Sequence, residues 1–110
     1  MFRAENFVGT ARALLPNAWF TNFEDLSGEE VGIVWKHLQD RVGQASWWSD
    51  DVDGTGVVTA GGVLSWADIT GRRLDNIKVV IFGAGAGGSG VYQQLINNGV
   101  KPENILVRIS

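Results

Sequence analysis

Apolar residues recur along this chain in two patterns, helical spacing and short continuous runs. Helical spacing predicts four helices, over about 7–15, 28–41, 57–67 and 86–98. Continuous apolar or aromatic runs predict three strands, over 18–23, 77–82 and 105–109. The alternation of strand and helix in the last third predicts one βαβ unit. The part before it is rich in helix and contributes one strand.

Several polar and small residues mark where these helices begin and end. Pro16 stops the first helix, and Ser27 with Glu30 has the spacing of a capping box at the start of the second. Asn98-Gly99 ends the fourth helix. Three glycines lie in the third predicted helix or directly before it, and they either weaken the prediction or mark close helix packing: Gly56, Gly61 and Gly62. The segment around Trp47 and Trp48 is expected to be a loop.

Composition limits the classes of function. The chain has 110 residues, of which 45% are hydrophobic, enough for one modest domain with a core. Nine basic and twelve acidic residues give a net charge of −3. With no basic cluster, this argues against nucleic acid or an anionic membrane as a partner. The absence of cysteine excludes disulfides, thiolate catalysis and cysteine-ligated zinc, and it fits a cytoplasmic protein.

A glycine fingerprint follows the strand predicted at 77–82. It reads Gly83-Ala84-Gly85-Ala86-Gly87-Gly88. In a GxGxxG motif, the first glycine makes a tight turn, the second lets backbone approach a pyrophosphate, and the third lets helix and strand pack closely. Exposed N–H groups and the helix dipole then favour an anion. We expect a dinucleotide to contact Gly83, Ala84, Gly85, Ala86 and Gly88.

Two acidic pairs are the other candidate chemistry. Glu24 and Asp25 follow the first predicted strand, and Asp50 and Asp51 lie in a later loop. Hard carboxylate oxygens suit Mg²⁺ or Mn²⁺ if the pairs converge. Taken alone, each pair is also typical of a solvated cap or turn. The residues themselves leave both interpretations open.

Three motifs in order resemble the malic enzyme family. They are the segments 22–26 (Asn-Phe-Glu-Asp-Leu), 50–55 (Asp-Asp-Val-Asp-Gly-Thr) and the glycine fingerprint at 83–88. The resemblance extends over nearly the whole chain, and malolactic enzymes share the same scaffold. It implies an α/β fold: an incomplete Rossmann-like βαβ unit preceded by a helix-rich segment that carries an acidic metal site. Residues 1–53 would end a substrate- and metal-binding domain, and residues 54–110 would begin the dinucleotide-binding domain.

The resemblance also implies the reaction, oxidative decarboxylation of L-malate to pyruvate and CO₂ with NAD or NADP and Mg²⁺ or Mn²⁺. By position, Glu24, Asp25 and Asp51 are the expected metal ligands, and Asp50 is a supporting acid. The fingerprint glycines would hold the cofactor pyrophosphate. A homo-oligomer is expected of the parent enzyme.

This sequence departs from the family pattern at several places. Asp53 stands where the family usually has a neutral polar residue. Ile109, beside Arg108, stands where it usually has an acid that influences ribose recognition. Neither the general acid tyrosine nor the general base lysine of the family has a match here, since the only tyrosine is Tyr92 in the fourth predicted helix.

These departures lead us to expect an internal piece of a larger enzyme, inactive by itself. The alternative is a noncatalytic nucleotide-binding or interaction module derived from this scaffold.

Overall fold

The computed structural model describes residues 4–17, 20–41 and 46–109. It divides into two compact units, residues 1–49 and 50–110. Each unit contains one pair of parallel strands, and each is described by itself below.

The first unit contains two helices and two strands. In chain order they are α1 (Ala4–Leu14), β1 (Phe20–Phe23), α2 (Gly28–Arg41) and β2 (Ser46–Ser49). Both helices and the first strand agree with the sequence prediction. Strands β1 and β2 are parallel, with Phe20 opposite Ser46 and Phe23 opposite Ser49. Because α2 connects them along the chain, this unit is itself a βαβ arrangement.

The prediction of a loop around Trp47 and Trp48 was wrong, since both residues lie in β2. A strand of four residues is too short to show a clear alternation of apolar and polar positions. Its conformation depends on pairing with β1, which lies more than twenty residues earlier in the sequence. Local sequence therefore carries little information about this strand.

The predicted capping box is present at the start of α2. The Ser27 backbone N–H donates to Glu30 Oε2 at 2.9 Å, and the Glu30 N–H donates to Ser27 Oγ at 3.3 Å. The hydrogen bond from the Ser27 backbone is the main reason why the pKa of Glu30 is lowered. Phe23 and Val34 form the buried centre of this unit, with Leu26 and Trp47 packed against them.

The second unit begins with a π-helical turn (Asp50–Gly54). The longer elements that follow are α3 (Thr55–Thr70), β3 (Val79–Phe82), α4 (Ala86–Asn97) and β4 (Ile105–Arg108). Strands β3 and β4 are parallel, with Val79 opposite Ile105 and Phe82 opposite Arg108. The predicted βαβ unit is thus present.

The core of the second unit lies between α4 and one face of the strand pair. Its buried members are Ile77, Ile81, Leu95 and Val100. A Schellman motif ends α4: the Val100 N–H donates to the Leu95 carbonyl, and Gly99 has φ +101°. Leu95 and Val100, the two residues joined by this hydrogen bond, are both members of the core. The turn that ends the helix therefore also brings Val100 into the core.

The opposite face of the strand pair carries exposed apolar side chains. Val80, Phe82 and Leu106 alternate with the core-facing residues and are exposed. Helix α3 is also apolar around much of its circumference, and both Val58 and Ile69 are exposed on it. In the three described ranges, no helix combines the length and hydropathy required to cross a membrane.

Candidate functional site

The glycine loop connects the carboxyl end of β3 to the start of α4. Gly83 has φ +120°, a left-handed conformation that a residue with a side chain rarely adopts. Its N–H donates to the Arg108 carbonyl at 2.8 Å, which continues the strand ladder by one residue. The chain then turns sharply, and Gly85 precedes the first helical residue, Ala86.

Gly88 allows α4 to pack directly against the end of β3. A Cβ atom built on Gly88 would overlap the Gly83 carbonyl oxygen and would lie 3.6 Å from Ile81 Cγ2. This is the close helix–strand packing that the fingerprint predicts for its third glycine. A Cβ on Gly85, by contrast, would have no atom within 4 Å in the described chain. Space therefore remains beside the backbone at the second fingerprint position.

The N-terminus of α4 has the properties of an anion site. In the part of the chain that the structure describes, no side chain caps this helix, and its first turn carries no acidic residue. Backbone N–H groups in the first turn of a helix have no partner within the helix. Together with the positive end of the helix dipole, they favour a phosphate. Ser89 Oγ instead donates to the Ala86 carbonyl at 2.8 Å.

The acidic turn, Asp50–Gly54, holds the second candidate group. Asp50 is exposed and lies over Gly54, where a Cβ atom would overlap Asp50 Oδ1. Asp51 is half-buried, and its Oδ2 atom is buried with no hydrogen-bond donor in the described residues. A buried carboxylate oxygen is costly unless a donor or a cation compensates its charge. Asp51 therefore fits the metal-ligand role that the resemblance implies.

Glu24 and Asp25 follow the carboxyl end of β1, as predicted. Both are exposed. Glu24 Oε1 accepts a hydrogen bond from Asn22 Nδ2. Asp25 has φ +56°, an unusual conformation for a residue with a side chain. These two carboxylates belong to the first unit, and the acidic turn belongs to the second.

Within neither unit do three His, Cys, Asp or Glu side chains of the described residues form a group that could hold a metal ion. Asp50 and Asp51 share one turn, and Glu24 and Asp25 are neighbours in another segment. The complete ligand set, Glu24, Asp25 and Asp51 with Asp50 in support, stays a prediction.

Helix α4 also packs against the acidic turn, a contact that the sequence analysis missed. A Cβ on Gly90 would overlap the Val52 carbonyl oxygen. A Cβ on Gly87 would lie 3.3 Å from Thr55 Cγ2 and 3.6 Å from the Asp51 carbonyl oxygen. The sequence did contain a feature that could have indicated this contact, namely two further glycines, Gly87 and Gly90, that are not the glycines of the GxGxxG motif.

Tyr92 lies on α4 and packs against the core formed by Ile77, Ile81 and Leu95. Its surroundings are those of a packing residue. Arg108 and Ile109 are exposed at the end of β4.

Comparison with known proteins gives a consistent result. The malic enzyme NAD-binding domain family matches residues 52–106. NAD-dependent malic enzyme 3 of Bacillus subtilis is 36% identical over 91 residues, which are 83% of this chain and 15% of that protein. The malolactic enzyme of Lactococcus lactis is 26% identical over 103 residues, which are 90% of this chain and 18% of that protein.

A solved structure is similar over almost the whole chain. The malic enzyme of Pyrococcus horikoshii aligns with a TM-score of 0.84 at 28% identity, over 98% of this chain and 25% of that chain. The prediction of an α/β fold with a Rossmann-like βαβ unit is confirmed by this likeness. The chain spans a quarter or less of the length of each of these three proteins.

Proposed function

This chain belongs to the malic enzyme family, and from that premise we propose that it binds the dinucleotide and contributes metal ligands for the oxidative decarboxylation of L-malate. The products of that reaction are pyruvate and CO₂. The observation that carries the proposal is the uncapped N-terminus of α4, directly after the Gly83 turn at the carboxyl end of a parallel strand. This is the place where α/β folds of this type bind the phosphates of a dinucleotide.

The role of the glycine loop is to hold the cofactor pyrophosphate. The N–H groups of Ala86, Gly87 and Gly88 belong to the first turn of α4. They would donate to phosphate oxygens without a competing side-chain cap. Gly83 provides the turn and Gly88 sets the depth of the helix on the strand. The loop binds and orients the cofactor, NAD or NADP.

The role of the acidic residues is to hold a divalent cation against the substrate. We assign Glu24, Asp25 and Asp51 as ligands, with Asp50 as a nearby supporting acid, and the buried Oδ2 atom of Asp51 supports this assignment. When bound, Mg²⁺ or Mn²⁺ supplies a Lewis acid for the malate hydroxyl oxygen, and NAD or NADP supplies the hydride acceptor. The carboxylates of this chain bind and orient; they transfer no proton in this assignment.

We also propose a cytoplasmic location and a homo-oligomer of the parent enzyme. The first is supported by the absence of cysteine, and the second by the family resemblance.

Binding titrations with substituted full chains test the proposal. Gly88→Ala is expected to weaken NADH binding at least tenfold, because the new methyl group must displace α4 from the Gly83 carbonyl. Asp51→Asn is expected to weaken Mn²⁺ binding. The matched controls are Gly61→Ala, where the added methyl group meets no described atom within 4 Å, and Glu103→Gln, an exposed acid in another turn. Equal Mn²⁺ titrations for Asp51→Asn and the unchanged chain would refute the metal assignment.

A malolactic reaction is the second candidate, favoured by the similarity to the Lactococcus lactis enzyme. The products that the parent enzyme forms from L-malate distinguish the two. Pyruvate with accumulation of NADH supports oxidative decarboxylation, whereas lactate without net NADH supports the malolactic reaction.

A further inference from the structure

We propose that Gly87 and Gly90 are positioning residues which couple the acidic turn to the glycine loop, so that a divalent cation and the dinucleotide each strengthen binding of the other. This inference rests on the proposed function, since it takes Asp51 as a metal ligand and the start of α4 as the phosphate site. It adds an energetic link between the two sites.

The first step is the contact between α4 and the acidic turn. Gly90 lies so close to Val52 that a Cβ would overlap the Val52 carbonyl oxygen and would lie 2.7 Å from the carbonyl carbon. Real Cβ atoms essentially never approach backbone this closely. The contact therefore exists only because residue 90 has no side chain.

The second step is that α4 also has close backbone contacts with the glycine loop and with α3. Gly88 rests on the Gly83 carbonyl, at the glycine loop. On α3, a Cβ at Gly56 would lie 2.6 Å from the Gly90 carbonyl oxygen. Because α4 has close backbone neighbours at the turn, at the loop and on α3, it cannot move away from one without changing its position against the others.

The third step concerns Asp51, which participates in both the turn and the site. Its carbonyl oxygen lies near Gly87, while its Oδ2 atom is buried and accepts no hydrogen bond from the described residues. The turn also carries the carboxylates of Asp50 and Asp53. A cation bound at Asp51 Oδ2 would compensate its buried charge and thereby stabilise the conformation of the turn that α4 contacts.

An ordered turn gives α4 a fixed support, so less conformational entropy remains to be lost when the dinucleotide binds at the helix N-terminus. Two ligands that order the same element bind with positive cooperativity. Thermodynamic linkage then requires the effect to be equal in both directions. The expected coupling is about tenfold, within the usual range for linked sites.

The experiment is a binding cycle on the full chain. The Kd for NADH is measured with and without saturating Mn²⁺, and the Kd for Mn²⁺ with and without saturating NADH. We expect each ligand to lower the Kd of the other by about tenfold. Mn²⁺ can also associate with NADH in solution, and this would produce an apparent coupling that does not involve the metal site of the protein. Asp51→Asn is the control, because such an apparent coupling would be unchanged in this variant.

Two glycine substitutions test the link itself. Gly87→Ala is the mild variant, because its methyl group meets mainly the Thr55 methyl group, and it is expected to reduce the coupling to about threefold or less. Gly90→Ala is expected to remove the coupling. Gly61→Ala should retain it in full. A purely structural role for Gly87 would lower the unfolding midpoint and leave the ratio of Kd values unchanged.

The outcomes separate the inference from the proposed function. If both ligands bind through the assigned residues but independently, the coupling is refuted and the proposed function stands. If Gly87→Ala, folded and binding both ligands, keeps the full factor, the role of the glycines is refuted. If Mn²⁺ binds equally well to Asp51→Asn, the metal assignment fails and the inference fails with it.

Discussion

At the scale of single residues, a few apolar side chains in the second unit are almost completely buried. Leu95 on α4 is 1% exposed, whereas Leu106 on β4 is 55% exposed. We expect Leu95→Ala to lower the free energy of unfolding by about 2–5 kcal/mol, because it removes buried methyl groups and leaves a cavity. Leu106→Ala should change it by only about 0.5 kcal/mol. Urea denaturation of both variants measures the difference, and equal effects would place the core elsewhere.

The capping box makes α2 sensitive to acid. The pKa of Glu30 is lowered from 4.5 mainly by the hydrogen bond from the Ser27 backbone. A carboxylate with a lowered pKa in the folded state stabilises the fold above its ordinary pKa, and this contribution is lost as the pH falls through the lowered value. The difference in unfolding free energy between the unchanged chain and Glu30→Gln should therefore be largest near neutral pH and shrink below pH 4.5.

Glu29→Gln is the matched control for this acid dependence, because it removes the same charge from the same first turn but lies outside the capping box. Helical circular dichroism during urea denaturation at several pH values provides the measurement. If Glu29→Gln reproduces the full pH dependence of Glu30→Gln, the helix dipole rather than the capping box is responsible.

At the level of elements, glycines at different places in helices are expected to respond oppositely to the same substitution. Gly99 ends α4 with φ +101°, so Gly99→Ala should destabilise the chain by about 1–2 kcal/mol. Gly61 lies inside α3 with open space around it, so Gly61→Ala should stabilise by about 0.5–1 kcal/mol through lower entropy of the unfolded chain. Thermal denaturation of both variants checks the signs, and a stabilising Gly99→Ala would contradict the Schellman geometry.

The elements that could be predicted from sequence are those with local signals. Helix α2 has the predicted bounds because a capping box and an apolar face lie within its own residues. Strand β2 and the π-helical turn had no such signal. The strand depends on distant pairing with β1, and the turn is supported by the backbone of α4 at Gly90. Conformations that are decided by tertiary contacts are the ones that a local pattern cannot supply.

Across the whole molecule, the candidate site could be predicted only in part for the same reason. The turn at Gly83 and the packing at Gly88 are properties of one contiguous segment, so a motif describes them. The burial of Asp51 Oδ2 depends on how separate elements pack, which the sequence does not encode at any single position. The roles of the acidic residues are implied by the resemblance to the malic enzyme family, and the structure adds the contact between the acidic turn and α4.

The two faces of the strand pair β3–β4 provide a test of the whole arrangement. Phe82 is 77% exposed and its neighbour Ile81 is 9% exposed, so adjacent residues lie on opposite faces. A contiguous exposed apolar face binds hydrophobic dyes and favours association. We expect Phe82→Ser to reduce binding of the dye ANS without lowering the unfolding midpoint. Ile81→Ser should increase dye binding, because a polar group in the core loosens the packing and exposes apolar surface. If the two substitutions gave the same change in ANS fluorescence, α4 would not cover the face that the structure assigns to it.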